Sequence, residues 1–458
     1  MGPVSTENRK SFALESAPAV SFGDTRLKTG RHMARCTRYL AALLLLFAVP
    51  AIAESLKVTK PERVGMSSAK LQELQDYFQK QVSDGLEPGF QVIVARRGRV
   101  VMHENMGYMD VRTREPITYD TLFRIMSMTK PITNVAAMIL YEEGWFSLDD
   151  PIAKFIPELA ELTVYAGTND AGEMILEPPR HAPTMHELMT HTAGFTYGGP
   201  YSSSPVNEIY QQLRPFEHGI DRQEAIDRLS RIPLAYQPGT EYIYSYSADI
   251  LGIVVENISG SDLGAFMQAR IFDPLGMDET VSWVPPELEP RLMKIHRYDE
   301  QGKLAIFADD PDSARPIDRS LVKPAIFNGG GQLISTPGNY FRFAQMLLNG
   351  GVFDEVRILS PSTVQLMTTQ RYPVGVRERY WAPGQGHGLN VSVVIDPTQI
   401  NYPTSKGEFS HGGLANGYFF VDPEEELVVI MQGQLFPPRY RNVHIPIVNA
   451  LVHAAIVE

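Results

Sequence analysis

The chain has 458 residues, room for up to three units of about 150 residues or for one large two-lobed domain. Hydrophobic residues at 43% and charged residues at 21%, with 36 glycines and 34 prolines, exclude a disordered or fibrous chain. A net charge of -12 repels phosphate backbones, so no nucleic-acid partner is expected, and the single cysteine, Cys36, excludes an internal disulfide.

In chain order, the first element is a targeting segment. Met33-Ala-Arg-Cys-Thr-Arg38 gives a basic start, residues 39–52 are apolar, and Ala51-Ile52-Ala53 is a small-x-small cleavage site before Glu54. This pattern is that of a secretory signal peptide, with Glu54 as the mature start and Met33 as a fitting translation start after polar, unperiodic residues 1–32. The apolar stretch is too short for a comfortable membrane span, so none is expected to remain after cleavage. Cys36 precedes the apolar stretch, whereas a lipid-carrying cysteine would follow it. A periplasmic or secreted protein is the expectation.

After Ser67-Ser68, the spacing of Leu71, Leu74, Phe78 and Val82 predicts an amphipathic helix. Residues 90–95 and 100–103 flank a turn containing Gly98 and read as a β-hairpin; residues 418–422 and 427–432 form a second one near the far end, before a last helix over 443–457. Between them, 132–141, 220–229, 249–258 and 340–348 read as helices, and 176–183 as a proline-rich loop. Strand-rich ends around a helix-rich middle predict an α+β fold in which one antiparallel sheet is closed by both chain ends. The corresponding division is a leader over 1–53 and one domain over 54–458, with a sheet lobe over about 54–120 and 325–458, a helical lobe over about 121–324, and an active site between them.

Three Ser-x-x-Lys tetrads occur, at Ser67 to Lys70, Ser127 to Lys130 and Ser320 to Lys323. On a helix the two side chains share a face, so a deprotonated lysine can act as base to the hydroxyl, provided that its surroundings are apolar. Ser67 opens a surface-type helix and Ser320 lies in a loop-like stretch near Pro324. Ser127 instead sits between apolar residues 122–126 and the apolar positions Ile132, Val135, Ala136, Met138, Ile139 and Leu140. Pro131 is tolerable there at a helix start, which would put Ser127 at a buried helix N-terminus. Tyr244 in Tyr244-Ser245-Tyr246 could relay a proton beside a lysine, although core tyrosines are common. His411-Gly412-Gly413 precedes an inner strand, where glycines would let a substrate approach the backbone; a plain β-bulge is the alternative reading.

Together these elements resemble the serine β-lactamase and penicillin-binding-like superfamily, in the branch of class C β-lactamases, serine D-alanyl-D-alanine peptidases and family VIII carboxylesterases. Leu188-Met189-Thr190-His191-Thr192-Ala193-Gly194 and Gly329-Gly330-Gly331-Gln332-Leu333 are similar to segments of the same branch, and the likeness runs from about Val58 to Gln434. The resemblance implies Ser127 as nucleophile, Lys130 as its base partner and Tyr244 as the proton shuttle to the leaving group. It also implies an oxyanion hole from the N–H groups of Ser127 and Leu414, substrate contacts from Tyr246, His411, Gly412 and Gly413, and no cofactor. Two departures stand out: the Lys-Thr-Gly of lactamases is His411-Gly412-Gly413, and the asparagine of Tyr-x-Asn is Tyr246.

The reading that follows is an exported serine hydrolase forming an acyl-enzyme, foremost on short-chain esters, with a β-lactam or a D-alanyl-D-alanine type peptide as the alternative small-molecule substrate. A catalytically silent ligand-binding homologue is a third possibility, opposed by the joint presence of Ser, Lys and Tyr. His186-Glu187 with His191 departs from the zinc motif His-Glu-x-x-His because the second histidine is at i+5, on a different helix face, so no metal is expected. No Gly-x-Ser-x-Gly motif is present to suggest an α/β-hydrolase.

Overall fold

The computed structural model describes residues 56–199, 202–307, 320–372, 376, 382–439 and 443–458. The signal-peptide reading of residues 1–53 lies outside the described residues. Helix α1 spans Ser68–Ser83; β1 (Gly89–Arg96) and β2 (Arg99–Asp110) then form the first hairpin. Its two-residue turn, Arg97-Gly98, has φ of 50° and 70°, and positive φ at both positions matches the right-handed twist of the flanking strands.

Six further strands complete the sheet: β3 (Glu115–Pro116), β4 (Gln385–His387), β5 (Ser392–Val394), β6 (Phe409–Gly413), β7 (Gly417–Asp422) and β8 (Leu427–Gln432). The order β4-β5-β6-β7-β8-β1-β2-β3 is antiparallel throughout, and the two ends of the chain meet where β8 pairs with β1, Ile93 opposite Ile430. The expected α+β fold is the one observed.

Helices cover both faces of the sheet, which explains the continuous apolar runs of β7 and β8. Phe420, Val429, Met431, Val92 and Val94 pack against α1 and the last helix α6 (Ile445–Ala454). Their alternates Phe419, Val421, Val428, Ile430 and Ile93 pack into the larger core with α2 (Thr129–Glu142), α4 (Ser247–Ser259) and α5 (Pro337–Leu348). A strand buried on both faces needs no polar alternation. Helix α3 (Arg222–Leu229) adds Ala225, Ile226 and Leu229 to the same larger core. One expectation fails: Leu176 and Glu177, the start of the stretch expected as loop, belong to the strand Met174–Glu177 paired with Val164–Thr168, a hairpin hidden because its Ile175 and Leu176 are exposed rather than alternating.

Candidate active site

The chain reaches Ser127 through a constrained turn. Phe123–Arg124 pairs with Ile334–Ser335, and Ile125 N–H donates to the Leu333 carbonyl, so the segment before Ser127 is bound to the one after the glycine triplet. Met126 then takes a φ of 49°, unusual for a side chain of its size, and Met126–Met128 makes a 3-10 turn into α2. Pro131 stands in the first turn of α2, where its missing N–H costs no helical hydrogen bond. Residues 129–140 of α2 are all buried, which carries Lys130 into the interior with them.

Lys130 has no exposed surface, and its Nζ lies 3.4 Å from Ser127 Oγ and 2.6 Å from the Gly330 carbonyl oxygen. The same nitrogen sits 4.6 Å from the ring centre of Tyr244 and 5.3 Å from that of Tyr197. Burial pushes the Lys130 amine down to about 8, and the carboxylate of Asp249 works against that shift. The Ser127–Lys130 pair and Tyr244, more than a hundred positions later, are therefore brought together around the Lys130 amine.

Asp249 and Tyr197 were missed by sequence reasoning. Asp249 Oδ1 accepts from Gly330 N–H at 3.1 Å and Oδ2 accepts from the Tyr197 hydroxyl at 3.3 Å, so Asp249 holds the loop whose carbonyl holds Lys130. Gly330 is required there, because a Cβ would lie 2.6 Å from Asp249 Oδ2 and 2.7 Å from the Tyr197 hydroxyl. The available signal was an acidic residue on the buried face of an apolar helix, where a lone carboxylate needs partners.

His191 is buried behind Tyr244, ring centres 5.1 Å apart, with Nδ1 3.1 Å from Ser245 Oγ and with Ser245 Oγ 2.8 Å from Ser247 Oγ. Burial, then the neighbouring His387, pushes the His191 imidazole well below its usual range, and burial brings His387 down to about 3; both rings are neutral at pH 7. The zinc reading fails on geometry as well: Glu187 closes a capping box with Thr184 and meets His181 at 2.7 Å, while His191 faces Ser245.

Two expected substrate contacts are corrected. Tyr246 is 7% exposed, its ring 4.4 Å from that of Tyr197 and stacked on Phe216 at 4.8 Å, so it packs the core beneath the site instead of offering a face to substrate. At Gly413 the close approach is made by the protein itself: a Cβ would lie 2.6 Å from the Ile125 carbonyl oxygen, which presses β6 against the turn before Ser127. The pairing of β6 with β7 runs in register through Gly412 and Gly413, without the bulge considered for them. Leu414 follows that contact and is exposed. His411 is half-buried on β6, its ring 6.3 Å from that of Tyr244 and its Nδ1 2.9 Å from the Gly412 carbonyl oxygen.

The beta-lactamase family model matches residues 74–452. The chain belongs to the beta-lactamase family. It is thereby a serine hydrolase by fold and ancestry. Protein Rv1367c of Mycobacterium tuberculosis is 36% identical over 358 residues, 76% of this chain and 85% of that protein. Esterase EstB of Burkholderia gladioli is 28% identical over 361 residues, 75% of this chain and 85% of the relative. Among solved structures, unliganded simvastatin synthase (LovD) from Aspergillus terreus superposes with a TM-score of 0.70 at 24% identity, over 85% of this chain and 98% of that one, a likeness of fold.

Proposed function

We propose that the protein is an exported carboxylesterase that cleaves short-chain esters through an acyl-enzyme on Ser127. The observation that carries this reading is a fully buried lysine, held down to about 8, with its amine 3.4 Å from a half-buried serine hydroxyl. Ser127 Oγ attacks the ester carbonyl as its proton passes to Lys130 Nζ; the carbonyl oxygen gains charge against the N–H groups of Ser127 and Leu414. The C–O bond to the alcohol breaks as Tyr244 returns the proton to the departing oxygen. Water then attacks the acyl carbon, its proton leaves by the same route, and the acid is released with Ser127 regenerated.

Ester specificity is supported by what β6 lacks. A β-lactam carries a carboxylate, and the branch this chain resembles meets it with a fixed lysine and a hydroxyl, where this chain has His411 and Gly412. A simple ester has no such charge to anchor and needs only nucleophile, proton relay and oxyanion donors. The similarity to the esterase EstB points the same way. The test is kcat/KM of the purified mature protein for p-nitrophenyl butyrate against nitrocefin and a D-alanyl-D-alanine peptide at one pH. The ester is expected to turn over fastest; faster nitrocefin or peptide turnover overturns the esterase assignment. Intact mass of the exported protein checks the start at Glu54.

A further inference from the structure

On the α1 and α6 face of the sheet, remote from Lys130 and its core, three acid and base side chains converge. Glu408 directly precedes β6, Asp422 ends β7 and His453 lies in the last turn of α6; one ligand atom from each lies within 4.8 Å of the other two. We infer that Glu408, Asp422 and His453 form a site for a divalent transition-metal ion that fastens the C-terminal helix to the adjoining ends of the inner strands β6 and β7.

The ligand atoms of the three groups converge on one another. Asp422 Oδ1 is occupied by the N–H groups of Glu424 and Glu425, at 3.0 and 3.2 Å, which turns Oδ2 towards His453. His453 Nδ1 lies 2.9 Å from the Asn449 carbonyl oxygen, an acceptor, so Nδ1 carries the proton and Nε2 faces the group, the arrangement common for metal-binding histidines. Glu408 is 2% exposed and its Oε2 has no hydrogen-bond partner among the described residues; burial pushes its carboxyl up to about 8, so a metal ion bound there would displace its proton.

Asp422 and His453 form a long ion pair whose spacing also admits a metal ion between them. Asp422 Oδ2 and His453 Nε2 are 3.4 Å apart, longer than the ~2.7–2.9 Å of a charge-assisted hydrogen bond. Two ligands at about 2.0–2.1 Å from one ion, at a tetrahedral angle, stand about 3.3–3.4 Å apart. One nitrogen and two carboxylate oxygens suit zinc-type chemistry over calcium, which takes six to eight oxygens. The Ser405 hydroxyl beside Asp422, or a water, would complete the fourth position. Because the ligands come from β6, β7 and α6, the ion would join segments far apart in the chain and stabilise the folded state by mass action.

The test uses the full mature protein, stripped with chelator, titrated with Zn2+ by calorimetry and followed by thermal unfolding. One equivalent of tight Zn2+ binding and a raised Tm are expected. Glu408→Gln and His453→Gln should each weaken binding about tenfold or more and abolish the Tm rise. His181→Gln, which removes an exposed histidine of the Glu187 pair, should leave both intact. Esterase turnover on p-nitrophenyl butyrate reports that each variant is folded, and a variant without turnover is replaced by its neighbour ligand variant for the comparison. No Tm response to Zn2+, equal Zn2+ affinity in Glu408→Gln, His453→Gln and the parent, or preference for Ca2+ over Zn2+ overturns the site.

Discussion

The tetrads at Ser67 and Ser127 share residue types and spacing but occupy opposite environments. Ser67 is the N-cap of α1: its Oγ accepts from the backbone N–H of Lys70 at 3.4 Å, while the Lys70 ammonium reaches Glu73 at 2.8 Å on the surface. Ser127 precedes a helix whose first three turns are buried, and its lysine is enclosed by Gly330, Tyr244 and Tyr197. A lysine deprived of water gives up its proton more readily. Spacing makes the contact geometrically possible; burial makes it chemically useful.

The largest effect separating the two regions is on turnover. Ser127→Ala and Tyr244→Phe should each lower kcat for p-nitrophenyl butyrate by about 10³-fold or more, and Lys130→Met, which keeps the volume and removes the amine, by a similar factor. In the proposed mechanism the three act as one proton-transfer unit, so the double variant Ser127→Ala with Lys130→Met should be little worse than either single one. Additive losses would break the unit.

Next in size is Gly413→Ala. Its Cβ would stand 2.6 Å from the Ile125 carbonyl oxygen, a backbone atom one residue before the strained Met126, and neither chain can yield without shifting the Ser127 turn. A displacement approaching 1 Å at a reacting atom costs about 10²-fold, so kcat should fall towards that scale with the unfolding midpoint moved much less. An unchanged kcat would show that the turn tolerates the movement.

Much of this organisation was readable beforehand. The hairpins at both chain ends and the six main helices follow from local apolar pattern, and so does the buried setting that the reading gave Ser127 and Lys130. What escaped depends on contacts between distant residues. Nothing local to Tyr246 shows that Tyr197, Tyr210 and Phe216 close around it, and nothing local to Gly413 shows that the Ile125 carbonyl takes its space. Asp249 gains meaning when the glycine triplet, some eighty positions on, comes back against it.

Asp249 gives a finer test through pH. In the proposed mechanism the neutral Lys130 amine is the working base, so kcat/KM should rise with pH through about 8 as its proton is lost. The Asp249 carboxylate favours the charged amine and holds that value up. Asp249→Asn keeps an acceptor for Gly330 N–H while removing the charge, so the rising limb should move to lower pH. A pH–rate profile of parent and variant decides the matter: a limb that moves to higher pH, or stays in place while kcat falls, would reduce Asp249 to a packing role.

The smallest effect is expected where the second serine is removed. In Ser67→Ala the N-terminal turn of α1 loses the side-chain acceptor for Lys70 N–H, and a lost cap of this kind costs about 1 kcal/mol. Leu71, Leu74 and Phe78 still anchor the helix to the sheet, so the fold should survive. Chemical denaturation should therefore show a lowered midpoint at unchanged slope, while kcat and KM for the ester stay at parent values. This is the reverse of the Ser127→Ala result, in which turnover is lost with little change in stability. A drop in kcat for Ser67→Ala beyond twofold would mean that α1, packed on the opposite face of the sheet, is coupled to the nucleophile turn through β1 and β8, and that the two tetrads are less independent than their environments indicate.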